Sequence, residues 1–132
     1  MAMSKEEKKI NEQIKKIIEQ TVTDMKATGI YRSEFDSTIK SYSQMRQQYD
    51  TLMKEFYSTG CKITEEYTNK ASATNIRKTA LYLAIETLRK DIVNHENILG
   101  LTPLALKKIV KNTGNNNKKG SKLGEALKAL DG

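Results

Sequence analysis

The chain has 132 residues and a formal net charge of +7, with 37% hydrophobic residues, no tryptophan and one cysteine, Cys61. This length predicts one domain with a tail, and a lone cysteine excludes an internal disulfide framework, which fits a reducing cytoplasm. No apolar run reaches the roughly 18 residues that a membrane-spanning helix needs, and the start, MAMSKEEKKI, lacks the apolar core of a signal peptide. We therefore expect a soluble intracellular protein without a membrane partner.

Two long amphipathic helices are predicted in the first half of the chain. The first covers about residues 4–28 and ends before Gly29, and the second covers about 33–58, with Ser33 as N-cap and Gly60 after its end. Apolar residues recur every three or four positions in both helices. They are Ile10, Ile14, Ile17, Ile18, Val22 and Met25 in the first, and Phe35, Ile39, Tyr42, Met45, Tyr49, Leu52 and Phe56 in the second. The short connection predicts an antiparallel hairpin of coiled-coil character.

The second half of the chain is predicted to hold a third long helix. Residues 61–73 have no helical period and many β-branched and turn-forming residues, which indicates a loop with at most a short extended piece. The third helix is predicted over about 74–98, and as the most apolar helix it should be the best buried. Its stripe is Ile76, Ala80, Leu83, Ala84, Leu88 and Ile92, widened by Leu81 and Ile85. No run alternates convincingly as a strand, so the predicted fold class is all-α, with short C-terminal helices.

The third helix is followed by a compact junction. Gly100 can take the positive φ that ends a helix, Thr102 is a good N-cap, and Pro103 suits the first position of the next helix. A short helix is therefore expected after the junction, with Leu104, Ile109 and Val110 as its apolar contacts.

The end of the chain is basic. Residues 101–132 carry seven lysines against Glu125 and Asp131, a net charge of +5. A localised basic segment favours a polyanionic partner, and the alternative is a tail that only aids solubility. The stretch NTGNNNKKGSK is typical of a flexible linker, and three leucines align in a possible last helix: Leu123, Leu127 and Leu130. A long-helix chain with no tryptophan and only two phenylalanines has trouble covering every face from its own core, so we expect it to oligomerise. We therefore divide the chain into a helical core and oligomerisation domain, 1–111, and a flexible basic tail, 112–132.

The sequence provides no positive case for an enzyme. His95 is the only histidine, and its position three residues after Ile92 favours a structural or capping role. Cys61 has no basic motif beside it, so it is interpreted as an ordinary loop thiol. Glu65 and Glu66 are adjacent and therefore point in different directions, so they are a poor acid/base pair. No catalytic residue, metal site or cofactor is predicted.

The order of motifs along this chain resembles that of the small subunit of bacteriophage terminase. The hallmark is a helix leading into L-G-L-T-P, here residues 99–103, and the segments SYS (41–43) and FYSTG (56–60) resemble the family's tyrosine-rich helix that ends in glycine. The closing SKLGEALKAL is also similar. The family often has Asn-Pro before the third helix, whereas here Asn69 is followed by Lys70.

The resemblance implies a DNA-packaging protein in the cytoplasm of the bacterial host. Such proteins assemble as ring-like homo-oligomers, bind viral double-stranded DNA near the packaging start, and regulate a large subunit that holds the ATPase and nuclease. Two alternatives remain. One is a small helical transcription regulator that reads DNA with residues 101–130 as a helix–turn–helix, and the other is a purely structural coiled-coil protein.

Candidate contacts follow from this interpretation. The predicted phosphate ligands are Lys8, Lys9, Lys15 and Lys16 on the first helix, and Arg77, Lys78, Arg89 and Lys90 on the third. The alternative is that these side chains only solvate a helix face. The predicted docking residues for the large subunit are Leu123, Leu127 and Leu130, because an amphipathic helix needs a groove for its apolar side. The tail lysines could instead tether DNA.

Overall fold

The computed structural model describes residues 3–112, which form a mostly helical fold with one small β-hairpin. Its elements are α1 (Lys5–Ala27), a 3₁₀ turn (Ser33–Phe35), α2 (Asp36–Ser58), β1 (Thr64–Thr68), β2 (Thr74–Lys78) and α3 (Ala80–Ile98). A fourth helix, α4, covers 103–112. Three long helices are confirmed, whereas the all-α prediction is wrong for residues 64–78. No helix within 3–112 is both long and apolar enough to cross a membrane.

Helix α2 lies between α1 and α3 and is antiparallel to both. The start of α1 meets the second half of α2, where the Gln47 and Gln13 side chains are 3.5 Å apart. The start of α3 meets the end of α2, where the rings of Phe56 and Tyr82 lie 6.1 Å apart. The predicted helical hairpin is thus confirmed, and α3 packs antiparallel to α2.

The best-buried part of the core lies at one end of this helical layer. The end of α1, the start of α2 and the end of α3 meet there in a cluster of buried residues: Met25, Ile39, Tyr42, Ile92 and Leu99. The other predicted stripe residues of α1 and α2 are only half-buried. The predicted faces are therefore correct, but a single copy covers them incompletely.

All three long helices end in the same glycine motif. After α1, Gly29 has φ +78° and the amide of Ile30 donates to the carbonyl of Met25 at 3.0 Å. This is a Schellman motif, in which a residue with positive φ satisfies carbonyls of the last turn. It recurs at Gly60 and Gly100, where φ is +93° and +69°. The helix ends predicted from these glycines are confirmed.

The starts of the helices follow the sequence less closely. The predicted cap Ser33 makes no cap, because it lies inside the 3₁₀ turn, and α2 begins without a side-chain cap. Asp36 instead accepts a hydrogen bond from the Tyr31 hydroxyl at 2.6 Å. A capping box stands at α1, where Ser4 and Glu7 satisfy each other's amides. At α4 the prediction holds, since Thr102 Oγ1 accepts from the amide of Ala105 at 3.2 Å.

The third helix and the segment before it differ most from the prediction. The segment predicted as a loop contributes β1, and the first residues assigned to the helix form β2, so α3 begins at Ala80. The two strands pair antiparallel, with Glu65 opposite Arg77. Helix α3 is also not the best-buried element. Only Ile85 and Ile92 are buried in it, and Leu83 is 49% exposed, because α2 covers one side of α3 only.

We expect Gly100→Ala to destabilise the protein more than Gly29→Ala. Both positions have positive φ, which costs a residue with a Cβ roughly 1–2 kcal/mol. At Gly100 the new Cβ would also lie 2.6 Å from Ile30 Cδ1 and 2.9 Å from Ile109 Cδ1, whereas at Gly29 it meets nothing within 4 Å. Urea unfolding of both variants measures the difference. Equal losses would show that the close approach at Gly100 carries no energy.

Candidate nucleic-acid and partner surfaces

The four lysines predicted to bind DNA on α1 are all exposed. Lys8 and Lys15 are seven residues apart and share one stripe, and Lys9 and Lys16 form a second stripe about 100° further round the helix, with Glu12 and Glu19 between the two. None of them forms an ion pair within residues 3–112. Glu12 and Glu19 are exposed on the same helix, so the positive field of this face is partly offset. We call Lys8, Lys9, Lys15 and Lys16 the α1 lysines.

Arg77 and Lys78 lie on β2, so their assignment to the third helix was wrong. Arg77 Nε is 3.1 Å from Glu65 Oε2, and its guanidinium lies 4.0 Å from the centre of the Tyr67 ring. Lys78 Nζ reaches the two carboxylate oxygens of Glu86 on α3 at 3.0 and 3.2 Å. Both cations therefore already have an acidic partner in this chain.

Arg89 and Lys90 do lie on α3, as predicted. Arg89 Nη2 donates to the Tyr49 hydroxyl at 3.2 Å, and its guanidinium carbon is 5.8 Å from the centre of that ring. The hydrogen bond to Tyr49 raises the pKa of Arg89. Lys90 is exposed beside Val93 and Asn94 on the same helix. Of the two, Lys90 is the side chain with fewer contacts to the chain.

An apolar groove runs between α1 and α3, with α2 as its floor. Its volume is about 670 Å³. It is lined by Ile10 of α1, by Gln47, Gln48, Thr51 and Leu52 of α2, and by Leu83, Ala84, Thr87, Leu88 and Asp91 of α3. Asp91 is the only charged residue among these. We call this feature the α1–α3 groove; the sequence placed its apolar residues in the stripes of the three long helices but gave no sign that they line one open groove.

A polar network fastens α2 to the end of α3. The buried Tyr42 hydroxyl donates to Glu96 Oε2 at 2.9 Å and accepts from Arg46 Nη1 at 2.9 Å. Burial and the hydrogen bond to Glu96 raise the pKa of Tyr42 above its ordinary value of 10.0. The network borders a second cavity of about 590 Å³, which α1 and the Gly100–Pro103 junction also line. Sequence periodicity placed Tyr42 in the core but gave no sign of its partners.

No feature of the described residues suggests catalysis. His95 Nδ1 is 2.9 Å from the carbonyl oxygen of Asp91, one turn earlier in α3, which fits the structural role predicted for it. Cys61 is exposed in the turn after α2. Within residues 3–112 no group of three or more His, Cys, Asp or Glu side chains could hold a metal ion. The predicted docking leucines Leu123, Leu127 and Leu130 lie outside the described residues.

The described residues thus form a helical fold with exposed basic side chains and an open apolar groove. Residues 14–116 match the family described as phage terminase, small subunit, and the chain therefore belongs to that family. The match confirms the resemblance carried by the L-G-L-T-P junction, and the family is non-catalytic with a role in DNA packaging. Comparison with curated proteins gave no match, and neither did comparison with solved structures.

We expect Tyr42→Phe to lower the free energy of unfolding by about 0.5–1.5 kcal/mol, because it removes two hydrogen bonds of a buried hydroxyl. The raised pKa of Tyr42 adds a pH dependence: its contribution is fully present below the unfolded pKa, about 10, and is lost as the pH rises through the folded pKa. Wild type should therefore lose more stability than the variant above pH 10.

The control is Tyr57→Phe, since Tyr57 is 65% exposed. That change should stay within about 0.5 kcal/mol of wild type in urea unfolding. Unfolding curves of wild type and Tyr42→Phe that shift in parallel between neutral and alkaline pH would contradict the assigned role of Tyr42.

Proposed function

We propose that this protein binds viral double-stranded DNA at the packaging start and regulates the terminase large subunit in the cytoplasm of the bacterial host. The observation that carries this proposal is the family match over residues 14–116. The exposed cations supply contacts to DNA, and uncharged apolar surface supplies contacts to protein partners.

The DNA contact is proposed to be mainly electrostatic and to rest on the α1 lysines and Lys90. These side chains are exposed and form no ion pair within residues 3–112. Arg77, Lys78 and Arg89 are secondary ligands in this proposal, because each must leave or share a partner of its own chain before it neutralises a phosphate. Exposed lysines that bind backbone phosphates give affinity without reading bases.

The protein is further proposed to form a closed homo-oligomer through residues 1–111, with the α1–α3 groove as part of the subunit contact. One copy leaves Leu83 49% exposed, and the groove contains only one charged residue, Asp91. A contiguous apolar surface of this kind is typical of protein–protein contacts. A groove on one face that receives a different face of the next copy produces a ring when the rotation closes.

The tail, 112–132, is proposed to dock on the large subunit through Leu123, Leu127 and Leu130, assisted by its lysines. The leucines are spaced by four and three residues, a spacing that would place them on one side of a helix. Lys107, Lys108 and Lys111 on α4 are exposed where this tail begins.

The electrostatic mechanism predicts a steep salt dependence. Affinity for duplex DNA should fall by roughly 10³–10⁵ between about 50 and 200 mM salt if six or more phosphates are neutralised. Lys15→Gln/Lys16→Gln should reduce the slope of log K against log salt by about 0.9 for each phosphate that the variant no longer neutralises. Fluorescence anisotropy at several salt concentrations measures the slope.

The matched control is Arg77→Gln/Lys78→Gln, which removes the same charge from cations that already have acidic partners. It should reduce the slope less than the α1 variant does. An affinity that does not change with salt would contradict the mechanism, and equal slopes for both variants would contradict the ranking of the ligands.

The homo-oligomer predicts a large complex in light scattering at tens of micromolar. Leu83→Glu should dissociate it, because a carboxylate in an apolar contact loses its hydration without gaining a partner. Since Leu83 is half-exposed in one copy, the fold should persist. The control is Leu104→Glu, at a leucine that is 65% exposed and outside the groove. A monomeric wild type would contradict the proposal, and a dimer would favour the transcription-regulator alternative.

Truncation after Thr113 tests the docking role of the tail. The oligomer and most of the DNA affinity should remain, while stimulation of the large subunit's ATPase should disappear. A Leu127→Ala/Leu130→Ala variant, which keeps all the lysines, should lose the stimulation as well. Unchanged stimulation with a collapse of DNA affinity would show that the tail is a DNA tether instead.

A further inference from the structure

The β-hairpin projects from the helical layer. Every residue of its two strands is exposed except Tyr67, which is half-buried. The hairpin is fastened at its base, where the amide of Thr79 donates to the carbonyl of Ile63 at 2.9 Å and Lys78 pairs with Glu86 of α3. A two-stranded hairpin on its own is only marginally stable in water, and pairing with further strands stabilises it. The exposed edges of this hairpin are therefore candidate contacts for a partner strand.

The tip of the hairpin is ordered by its own side chains. Asn69 Oδ1 accepts hydrogen bonds from the amides of Ala71 and Ala73 at 2.9 and 3.0 Å. The hydroxyls of Thr68 and Thr74 meet across the strands at 3.0 Å. These contacts hold the strands in one register, so their outer edges present a fixed pattern of backbone groups.

The register identifies which amides face outward. The amide of Thr79 donates to Ile63, and that of Asn69 donates to Ala73, so the odd-numbered residues of both strands make the inner ladder. Hydrogen-bonded and non-hydrogen-bonded pairs alternate in an antiparallel ladder. The even-numbered residues therefore point their amides and carbonyls away from the hairpin: Thr64, Glu66 and Thr68 on the β1 edge, and Thr74, Ile76 and Lys78 on the β2 edge.

The two edges carry opposite charge. Strand β1, TEEYT, has two acidic residues and no basic one, and β2, TNIRK, has two basic residues and no acidic one. Glu66 forms no ion pair within residues 3–112, and the side chains of Arg77 and Lys78 remain 58% and 50% exposed despite their partners. A guanidinium has five donors, so Arg77 can bind a second carboxylate. Ile76, in the middle of β2, is 75% exposed.

We propose that the β2 edge of one copy pairs with the β1 edge of the next copy, so that the hairpins form a continuous intermolecular antiparallel sheet. This inference rests on the homo-oligomer proposed above and names a second subunit contact within it. Two observations favour a second copy over another partner. The basic strand β2 of one copy would meet the acidic strand β1 of the next, and each chain supplies both edges. Rotation of copies about an axis parallel to the hairpins keeps β2 and the neighbouring β1 antiparallel, so the pairing is compatible with a ring.

Hydrogen exchange with residue resolution on the full-length wild-type protein tests this pairing. In the assembled protein the outward amides of Glu66 and Ile76 should exchange at least about tenfold more slowly than the amide of Lys70 at the tip, because paired amides exchange only after opening. A large oligomer in which these amides exchange as fast as that of Lys70 would overturn the pairing and leave the oligomer standing. A monomer would overturn both proposals. Protection that appears only after DNA is added would show that DNA, and not a second copy, covers the edge.

Ile76→Pro supplies an independent test, because proline removes one outward amide and is tolerated on an edge strand whose amide faces solvent. It should abolish the protection of Glu66, while the inner amides of Tyr67 and Arg77 stay protected and report an intact hairpin. The matched variant Ile76→Thr keeps the amide and removes the apolar side chain, so it should retain the protection. If Glu66 stays protected in Ile76→Pro while the hairpin is intact, the pairing is wrong.

Discussion

The packing of α2 between α1 and α3 is the constraint on which the rest of this structure depends. Three helices packed side by side form a single layer. A single layer cannot bury the outward-facing apolar residues of its two flanking helices. The buried side chains accordingly gather at one end, around Met25, Ile39 and Leu99. At the other end the layer stays open as the α1–α3 groove. This open surface is the one that the proposed oligomer would cover.

The L-G-L-T-P junction lies at the well-buried end of the helical layer, and its residues have structural roles there. Gly100 ends α3 with a positive φ, and its missing Cβ lets Ile30 and Ile109 approach the same point from the α1–α2 turn and from α4. Thr102 caps α4, and its hydroxyl also donates to Asn97 Oδ1 at 2.9 Å. The junction thus holds α4 against the core. Holding α4 in place is a structural role that needs no contact with bases.

Periodicity and glycine positions predicted much of the fold, and the failures have two causes. Helix ends at Gly29, Gly60 and Gly100 follow from local backbone chemistry, so the sequence alone was sufficient. The hairpin was missed because both of its faces are exposed, and the alternation that reveals a half-buried strand is then absent. Ile76 was assigned to the apolar stripe of the third helix because it lies four residues before Ala80, although the structure places it on β2. The partners of Arg77, Lys78 and Tyr42 depend on tertiary contacts between distant segments, which no local pattern contains.

The distribution of charge would link the proposed assembly to the proposed DNA binding. Residues 1–28 carry six lysines against five acids, and residues 61–100 carry six basic groups against five acids, so each segment has a net charge of only +1. Two of these cations, Arg77 and Lys78, also form ion pairs within the chain. The surfaces of α1 and of the α3 region in one copy would therefore attract a duplex only weakly, because counterion release grows with the number of phosphates contacted. Identical weak contacts held together in one oligomer bind the same duplex with a high effective concentration. In the proposed oligomer the apolar groove and the hairpin edges would contribute to DNA affinity without touching DNA, since they would set how many copies of the α1 lysines face it at once.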